Sequence, residues 1–165
     1  MYSLEYSSPK VFNDLCNLGC IPNKTFKLKF PKIRKDLIPH FVRGYFDGDG
    51  SVFIKKSKRI KNGEKIEEYN YTLGISFSGT HDFLEEIRIR ANMPEKTLYK
   101  DNRKSSDCWE LKVYYAKRCY ELYKYLYNNC GDLFLPRKKE IFDNFFKDRG
   151  STTIIASPSY FEDLD

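Results

Sequence analysis

The residues of this chain best suited to chemistry are concentrated in one run of nine, Val42-Arg43-Gly44-Tyr45-Phe46-Asp47-Gly48-Asp49-Gly50. Two carboxylates, Asp47 and Asp49, stand two residues apart among glycines. A pair of carboxylates with little else suits a hard, oxygen-ligated cation such as Mg2+ when phosphate oxygens complete its shell. A string of such residues also reads as a plain solvated turn. A calcium loop is excluded. Counting from Asp47, the sixth position is Val52 where an EF-hand needs glycine, and the twelfth is Lys58 where it needs glutamate.

These residues need an element to hold them. The spacing predicts a helix starting near Asp36, with Asp36 as its cap and Pro39 in its first turn, running through the carboxylates to a strand that begins at Ser51. As a helix it is made of unfavourable choices. Gly44 in mid-helix costs about 1 kcal/mol against alanine, and Asp47 and Asp49 place negative charge where the helix dipole disfavours it. Such choices stacked in one turn mark a functional site. Gly44 and Gly48 lie four apart on one face, where missing side chains let two helix backbones approach. Two copies packed through that face, with Tyr45 beside it, would bring two sets of carboxylates together.

The rest of the chain supplies a layer around this helix. Residues 9–19 read as a short amphipathic helix stopped by Gly19, followed by a basic segment of Lys24, Lys27, Lys29, Lys32, Arg34 and Lys35. After Ser51 the period changes to that of strands, with a turn at Asn62-Gly63. Residues 69–78 alternate, Tyr69, Tyr71, Leu73, Ile75 and Phe77 on one face and Asn70, Thr72, Gly74, Ser76 and Ser78 on the other. A helix at 81–91, strands around 96–101 and 108–115, and helices at 116–128 and about 137–148 complete the series. The expected fold class is α+β, with helices on one face of an antiparallel sheet and the other face polar and open. That layer carries Lys55, Lys56, Lys58, Arg59, Lys61, Lys65, Lys100, Arg103, Lys104 and Lys112, a density suited to DNA, because β-ribbons enter the major groove.

Bulk properties agree with a polyanionic partner. The 165 residues carry 29 Lys and Arg against 23 Asp and Glu, a net charge of +6. The last fifteen residues contain Glu162, Asp163 and Asp165 and no base, which leaves +9 on the first 150. With 41% apolar and 16% aromatic residues the chain can bury one core, or a core plus an arm. No apolar run is long enough to span a membrane, and the N-terminus lacks the pattern of a secretory signal. The five cysteines form no CxxC pair and only two histidines accompany them, so reduced thiols in an intracellular protein are expected rather than a zinc site or disulfides.

The stretch HFVRGYFDGDGSVFI resembles the LAGLIDADG motif and the strand after it, in the xRGxFDGDGS form of the LAGLIDADG homing endonucleases. LCNLGCIPNKTFKLKFP upstream, LGISFSGTHDFLEEI downstream and LFLPRKKEIF near the end resemble further family segments, in the right order over most of residues 9–146. The resemblance implies an αββαββα repeat whose motif helices form the central interface. With one motif it implies a homodimer that cuts a long, roughly palindromic double-stranded DNA site using Mg2+, with Mn2+ or Ca2+ able to substitute for binding. It assigns the metal to Asp49, with the Gly48 carbonyl as an extra ligand, and makes Asp47 the more structural acid. It places a catalytic basic residue in Arg137-Lys138-Lys139, for which Lys138 is the choice, and a polar group at Ser78, Gly79 or Thr80. The expected DNA contacts are Lys24, Lys55, Lys56, Lys58, Arg59, Lys100, Arg103, Lys112 and Arg137.

Residues 12–25 echo 120–139, a short helix, a glycine break and a basic turn after proline, so that Lys24 takes the place of Lys138. The expected organisation is an N-terminal arm at 1–35 like the tail of a preceding repeat, a single LAGLIDADG domain at 36–149, and a flexible acidic tail at 150–165. Two rivals stand beside the nuclease. One is a non-cleaving nucleic-acid-binding protein of the same fold, a regulator or intron-splicing helper. The other is a structural α+β protein whose DGDG is only a turn.

Overall fold

The computed structural model describes residues 5–22, 27–61, 64–101 and 108–149. The 150–165 tail, Lys24, Arg103 and Lys104 lie outside them, as does the Asn62-Gly63 turn. Its elements run α1 (Pro9–Asn17), a 3-10 turn at Lys35–Leu37, α2 (Ile38–Asp49), β1 (Ser51–Lys61), β2 (Glu64–Gly79), α3 (His81–Arg90), β3 (Leu98–Lys100), β4 (Trp109–Val113), α4 (Ala116–Tyr127) and α5 (Pro136–Arg149). From α2 to α4 this is αββαββα, and α5 follows it.

The strands make one antiparallel sheet in the order β1-β2-β4-β3, two hairpins laid side by side with β2 and β4 innermost. The alternation read from β2 is physically realised. Leu73, Ile75 and Phe77 are buried, together with Leu111 and Val113 of β4. Against them lie Val42 and Phe46 of α2, Phe83, Leu84 and Ile87 of α3, Cys119, Leu122 and Leu126 of α4, and Phe142 of α5. Tyr69 and Tyr71 share that parity yet are exposed, because the β1–β2 hairpin outruns the helical layer.

Several expectations change in detail. Strand β2 begins at Glu64 rather than 69, because Lys61 and Glu64 already pair across the hairpin. Tyr115 is the residue that caps α4, not part of β4. Asp36 does not cap α2; its carboxylate pairs with Arg34 at 2.7 Å, and the 3-10 turn makes Leu37 the cap, with Pro39 in the first turn as predicted. Helix α1 is capped by the Ser8 hydroxyl and ends at Asn17, and Gly19 just beyond it has a φ of +94° that suits glycine. The packed unit starts before residue 36. Leu28 and Phe30 lie on the core, Phe30 meets Phe41 and Phe83 at 5.1 and 5.9 Å between ring centres, and the Thr80 hydroxyl donates to the Leu28 carbonyl. This extended stretch turns Lys27, Lys29, Lys32, Arg34 and Lys35 outward.

Candidate metal and nucleic-acid site

The site is the C-terminal end of α2 and its junction with β1. Val42, Arg43 and Phe46 are buried on one side of α2, while Gly44, Gly48 and Asp49 are exposed on another. A Cβ at Gly44 or Gly48 would meet nothing within 4 Å. Nothing among the described residues therefore calls for glycine at either position. Gly50 is different. A Cβ there would stand 2.4 Å from the Phe46 ring and 2.8 Å from the Phe46 carbonyl oxygen, so only glycine lets the helix pass directly into β1.

Three polar side chains clamp this helix to the α4–α5 corner. Arg43, only 4% exposed, donates to the carbonyls of Leu133 (2.7 Å) and Leu126 (3.1 Å), with His40 accepting at Nδ1. The Asp47 carboxylate accepts from the Tyr127 hydroxyl at 3.1 Å and from the Leu135 amide at 3.0 Å. Lys138, also 4% exposed, aims its ammonium at the helix end. It donates to the carbonyls of Phe46 (2.5 Å), Asp47 (3.0 Å) and Gly50 (2.5 Å). Three donors meet three carbonyls, of which Asp47 is left open by α2's last turn while Phe46 also accepts the Gly50 amide, and the positive charge complements the dipole there.

Asp49 is the exception. Its carboxylate is exposed and makes no hydrogen bond or ion pair among the described residues. Tyr45 lies near it, with its hydroxyl donating to the Ser78 carbonyl at 2.5 Å and its ring 4.6 Å from that of Phe83. Tyr45 is thus engaged within its own chain, unlike Gly44 and Gly48 on the open side. Of the three candidate positions at the end of β2, the Thr80 hydroxyl is taken by the Leu28 carbonyl and Gly79 has no side chain to offer, which leaves the Ser78 hydroxyl. No three His, Cys, Asp or Glu side chains cluster among the described residues. The donors one chain offers at this point are the Asp49 carboxylate and the Gly48 carbonyl, hard oxygens that fit a divalent cation needing further ligands from elsewhere.

Burial shifts several protons here. Burial, then Asp49 and Cys108, push Tyr45 up to about 12. Burial, then the Asp47 charge and the hydrogen bond to it, push Tyr127 up further, and burial raises the Cys119 thiol. In each case the folded chain holds the proton more tightly than the unfolded one. That stability is whole below the ordinary values of 10.0 for tyrosine and 9.0 for cysteine and is lost as pH rises past them. Lys138 runs the other way. Burial and Arg137 lower it, so its contribution grows as pH approaches the ordinary 10.5. Three groups against one give the sign. Melting temperature is expected to fall steadily above about pH 9 in a thermal scan by circular dichroism. A rise over that interval would mean that Lys138 dominates.

The open face of the sheet carries Ser51, Phe53, Lys55 and Ser57 of β1 opposite Ser76, Gly74, Thr72 and Asn70 of β2, with Glu110 and Lys112 of β4 and Tyr99 of β3 alongside. The basic residues expected there separate by parity. Lys55 and Lys112 share this face, Lys112 in a 2.5 Å ion pair with Glu110. Lys56 and Lys58 follow the opposite parity, and the Lys56 ammonium lies 3.9 Å over the ring of Tyr69. Arg59 pairs with Glu68 at 2.6 Å beside a shift in register. Lys100 follows the parity of Trp109, and Arg137 is exposed in the first turn of α5. Consecutive lysines on a strand cannot face one ligand, so one charged layer becomes two.

Arg43 and Tyr127 were not legible as part of the site. The available signal was an arginine between Val42 and Phe46 on the apolar side of a helix, where an unpaired charge would be costly.

No family model and no curated protein matches the sequence. Solved structures do. The chain is similar to the LAGLIDADG homing endonuclease I-LtrWI bound to target DNA, at 16% identity and a TM-score of 0.55 over 70% of this chain and 37% of that one. It is similar to the archaeal intron-encoded homing endonuclease I-Vdi141I complexed with DNA, at 14% identity and 0.54 over 69% and 67%. It is similar to the homing endonuclease I-CvuI in complex with its target in the presence of Ca, at 15% identity and 0.52 over 72% and 71%.

Proposed function

We propose that this chain, which has the fold of the LAGLIDADG homing endonucleases, is a single-motif, site-specific double-stranded DNA endonuclease that works as a homodimer with Mg2+. One observation carries this reading. Arg43, Asp47 and Lys138 are all engaged in fixing the end of α2, and what they hold in place is one exposed carboxylate, Asp49, with no hydrogen bond or ion pair among the described residues. A fold that secures a free acid beside a bare glycine face has a use for it outside the chain.

In this reading Asp49 and the Gly48 carbonyl are the oxygens that would hold the metal. When bound, Mg2+ supplies Lewis-acid stabilisation of the phosphate and an activated water. I-CvuI has been seen on its target in the presence of Ca, and on another target in the presence of Mg with the DNA not cleaved, which supports divalent ions as part of the setting of this fold. Lys138 acts as a positioning residue that sets where Asp49 stands, and Arg137, exposed one residue before it, is the basic group of that turn left to meet phosphate. The open sheet lies along the duplex, with Lys55, Lys112 and the basic 27–35 stretch supplying charge, so affinity falls steeply with salt.

The pairing of two chains rests on the open glycine face. The extent of the likeness supports it. The chain accounts for about two thirds of I-Vdi141I and I-CvuI but 37% of the longer I-LtrWI. Gly44→Leu is expected to convert a dimer to a monomer by analytical ultracentrifugation while the monomer melts no lower than the wild type, since a Cβ there meets nothing within 4 Å and leucine relieves the cost of a mid-helix glycine. An unchanged mass would remove this face from the interface.

One observation favours the non-cleaving alternative. The Lys138 ammonium has its three donors taken, and Lys139 pairs with Asp143 at 2.7 Å, so neither offers a cation to a reacting phosphate. Cleavage of a randomised palindromic duplex library with Mg2+ separates the two. Selected cutting at one site supports the nuclease. Salt-dependent binding without cutting supports a binding protein, and no binding removes both.

A further inference from the structure

The open face of the sheet carries one aromatic pair among polar rows, with Tyr99 of β3 standing apart from it beside Glu110. Phe53 of β1 stands directly opposite Gly74 of β2, and the β2–β4 register, continued one residue past Val113, sets Tyr114 on the other side of Gly74. The two rings meet over the glycine, 6.1 Å apart and edge to face, and each stays more than a third exposed (36% and 37%). Gly74 is what allows this. A Cβ there would fall 2.4 and 2.5 Å from the Phe53 ring carbons, so the ring lies against bare backbone. An aromatic pair covering a strand glycine is a stable arrangement on its own terms. Here it is set among side chains that hydrogen-bond, namely Ser51, Lys55, Thr72, Ser76 and Lys112.

We infer that the Phe53–Tyr114 pair is a specificity determinant that selects the 5-methyl group of a pyrimidine in the major groove. The inference rests on the nuclease reading above and deepens it. The flanking polar and charged side chains have partners on any base pair or phosphate, but an exposed ring on the same face does not. The feature of the major groove that matches an apolar ring is a methyl at C5, present in thymine and in 5-methylcytosine and absent from uracil and cytosine. Phe53 is four residues from Asp49, on the order of 13 Å along an extended chain. The methyl it meets therefore lies within about the first four base pairs from the cut.

The test uses the full chain and its selected duplex. Each thymine near the cut is replaced singly by deoxyuridine, which removes only the methyl, and dissociation constants are measured at fixed salt. One position per half-site is expected to lose about fourfold in affinity, the worth of one buried methyl. Phe53→Ser is expected to bind thymine and uracil at that position equally. Gly74→Ala keeps the phenyl but displaces it, and is expected to lose the preference in the same way. Placing 5-methylcytosine there distinguishes the sources. Regained affinity shows that the methyl alone is read, while none shows thymine itself to be selected. If no thymine methyl matters, or if Phe53→Ser keeps the wild-type sensitivity, the inference is wrong although the nuclease stands. If the wild type binds no duplex, both fall together.

Discussion

Asp49→Asn is expected to bind the target duplex about as tightly as the wild type and to lose cleavage by a factor on the order of 10^3, the scale seen when a group stabilising transition-state charge is removed. The substitution conserves shape and removes only charge. Asp49 has no partner to lose among the described residues, so folding has no reason to suffer. It also removes a negative charge from a helix C-terminus, which adds roughly 0.3–1 kcal/mol of stability. Melting temperature and activity should therefore move in opposite directions, the mark of a residue kept for function at some cost to stability. Asp47→Asn is the contrast, because that carboxylate accepts from both Tyr127 and the Leu135 amide. Its loss should appear first as a lower melting temperature. Chelation with EDTA should reproduce Asp49→Asn on the wild type. Cutting by Asp49→Asn at wild-type rates would place the metal elsewhere and end this reading.

Lys138→Met is expected to destabilise the fold by about 3 kcal/mol, because it strips three carbonyls of a charged donor, of which Phe46 keeps only the Gly50 amide. For a domain of this size that corresponds to a fall of roughly 10 °C in melting temperature. The measurement is made with metal absent, so that stability is read apart from activity. If Lys138 were a catalytic residue in contact with the phosphate, the variant would melt like the wild type and fail only in cleavage. If it positions the helix end, stability falls first. Cleavage measured well below the variant's melting temperature should then drop far less than in Asp49→Asn. A stable, inactive Lys138→Met would return this lysine to the reacting centre.

The resemblance and the structure agree on the large features for a physical reason. Periodicity is local. The 2-residue alternation of β2 and the 3.6-residue spacing in α3 and α4 identify the apolar faces before any contact is known, and the glycine–carboxylate run is conspicuous because it violates helix preferences. Misreadings cluster where a neighbour distant in sequence decides. Asp36 looked like a cap until Arg34 and a 3-10 turn took that role, and Lys56 and Lys58 looked like part of one charged face until the strand register set them opposite to Lys55.

Local patterning specifies the α+β layer, the helix that ends in Asp47-Gly48-Asp49 and the hairpin that follows, since each depends on residues within a few positions of one another. It could not distribute roles among the charged residues of the site. Asp47 and Asp49 differ by two positions and have the same chemistry, and only the packing of α4 and α5 against α2 binds one and leaves the other open. Lys138 stands 91 residues from Asp47, and its ammonium reaches the helix end because the β2–β4 pairing and the aromatic core bring α5 there. A buried charge takes whatever acceptors the tertiary fold offers, and no local spacing records which they are.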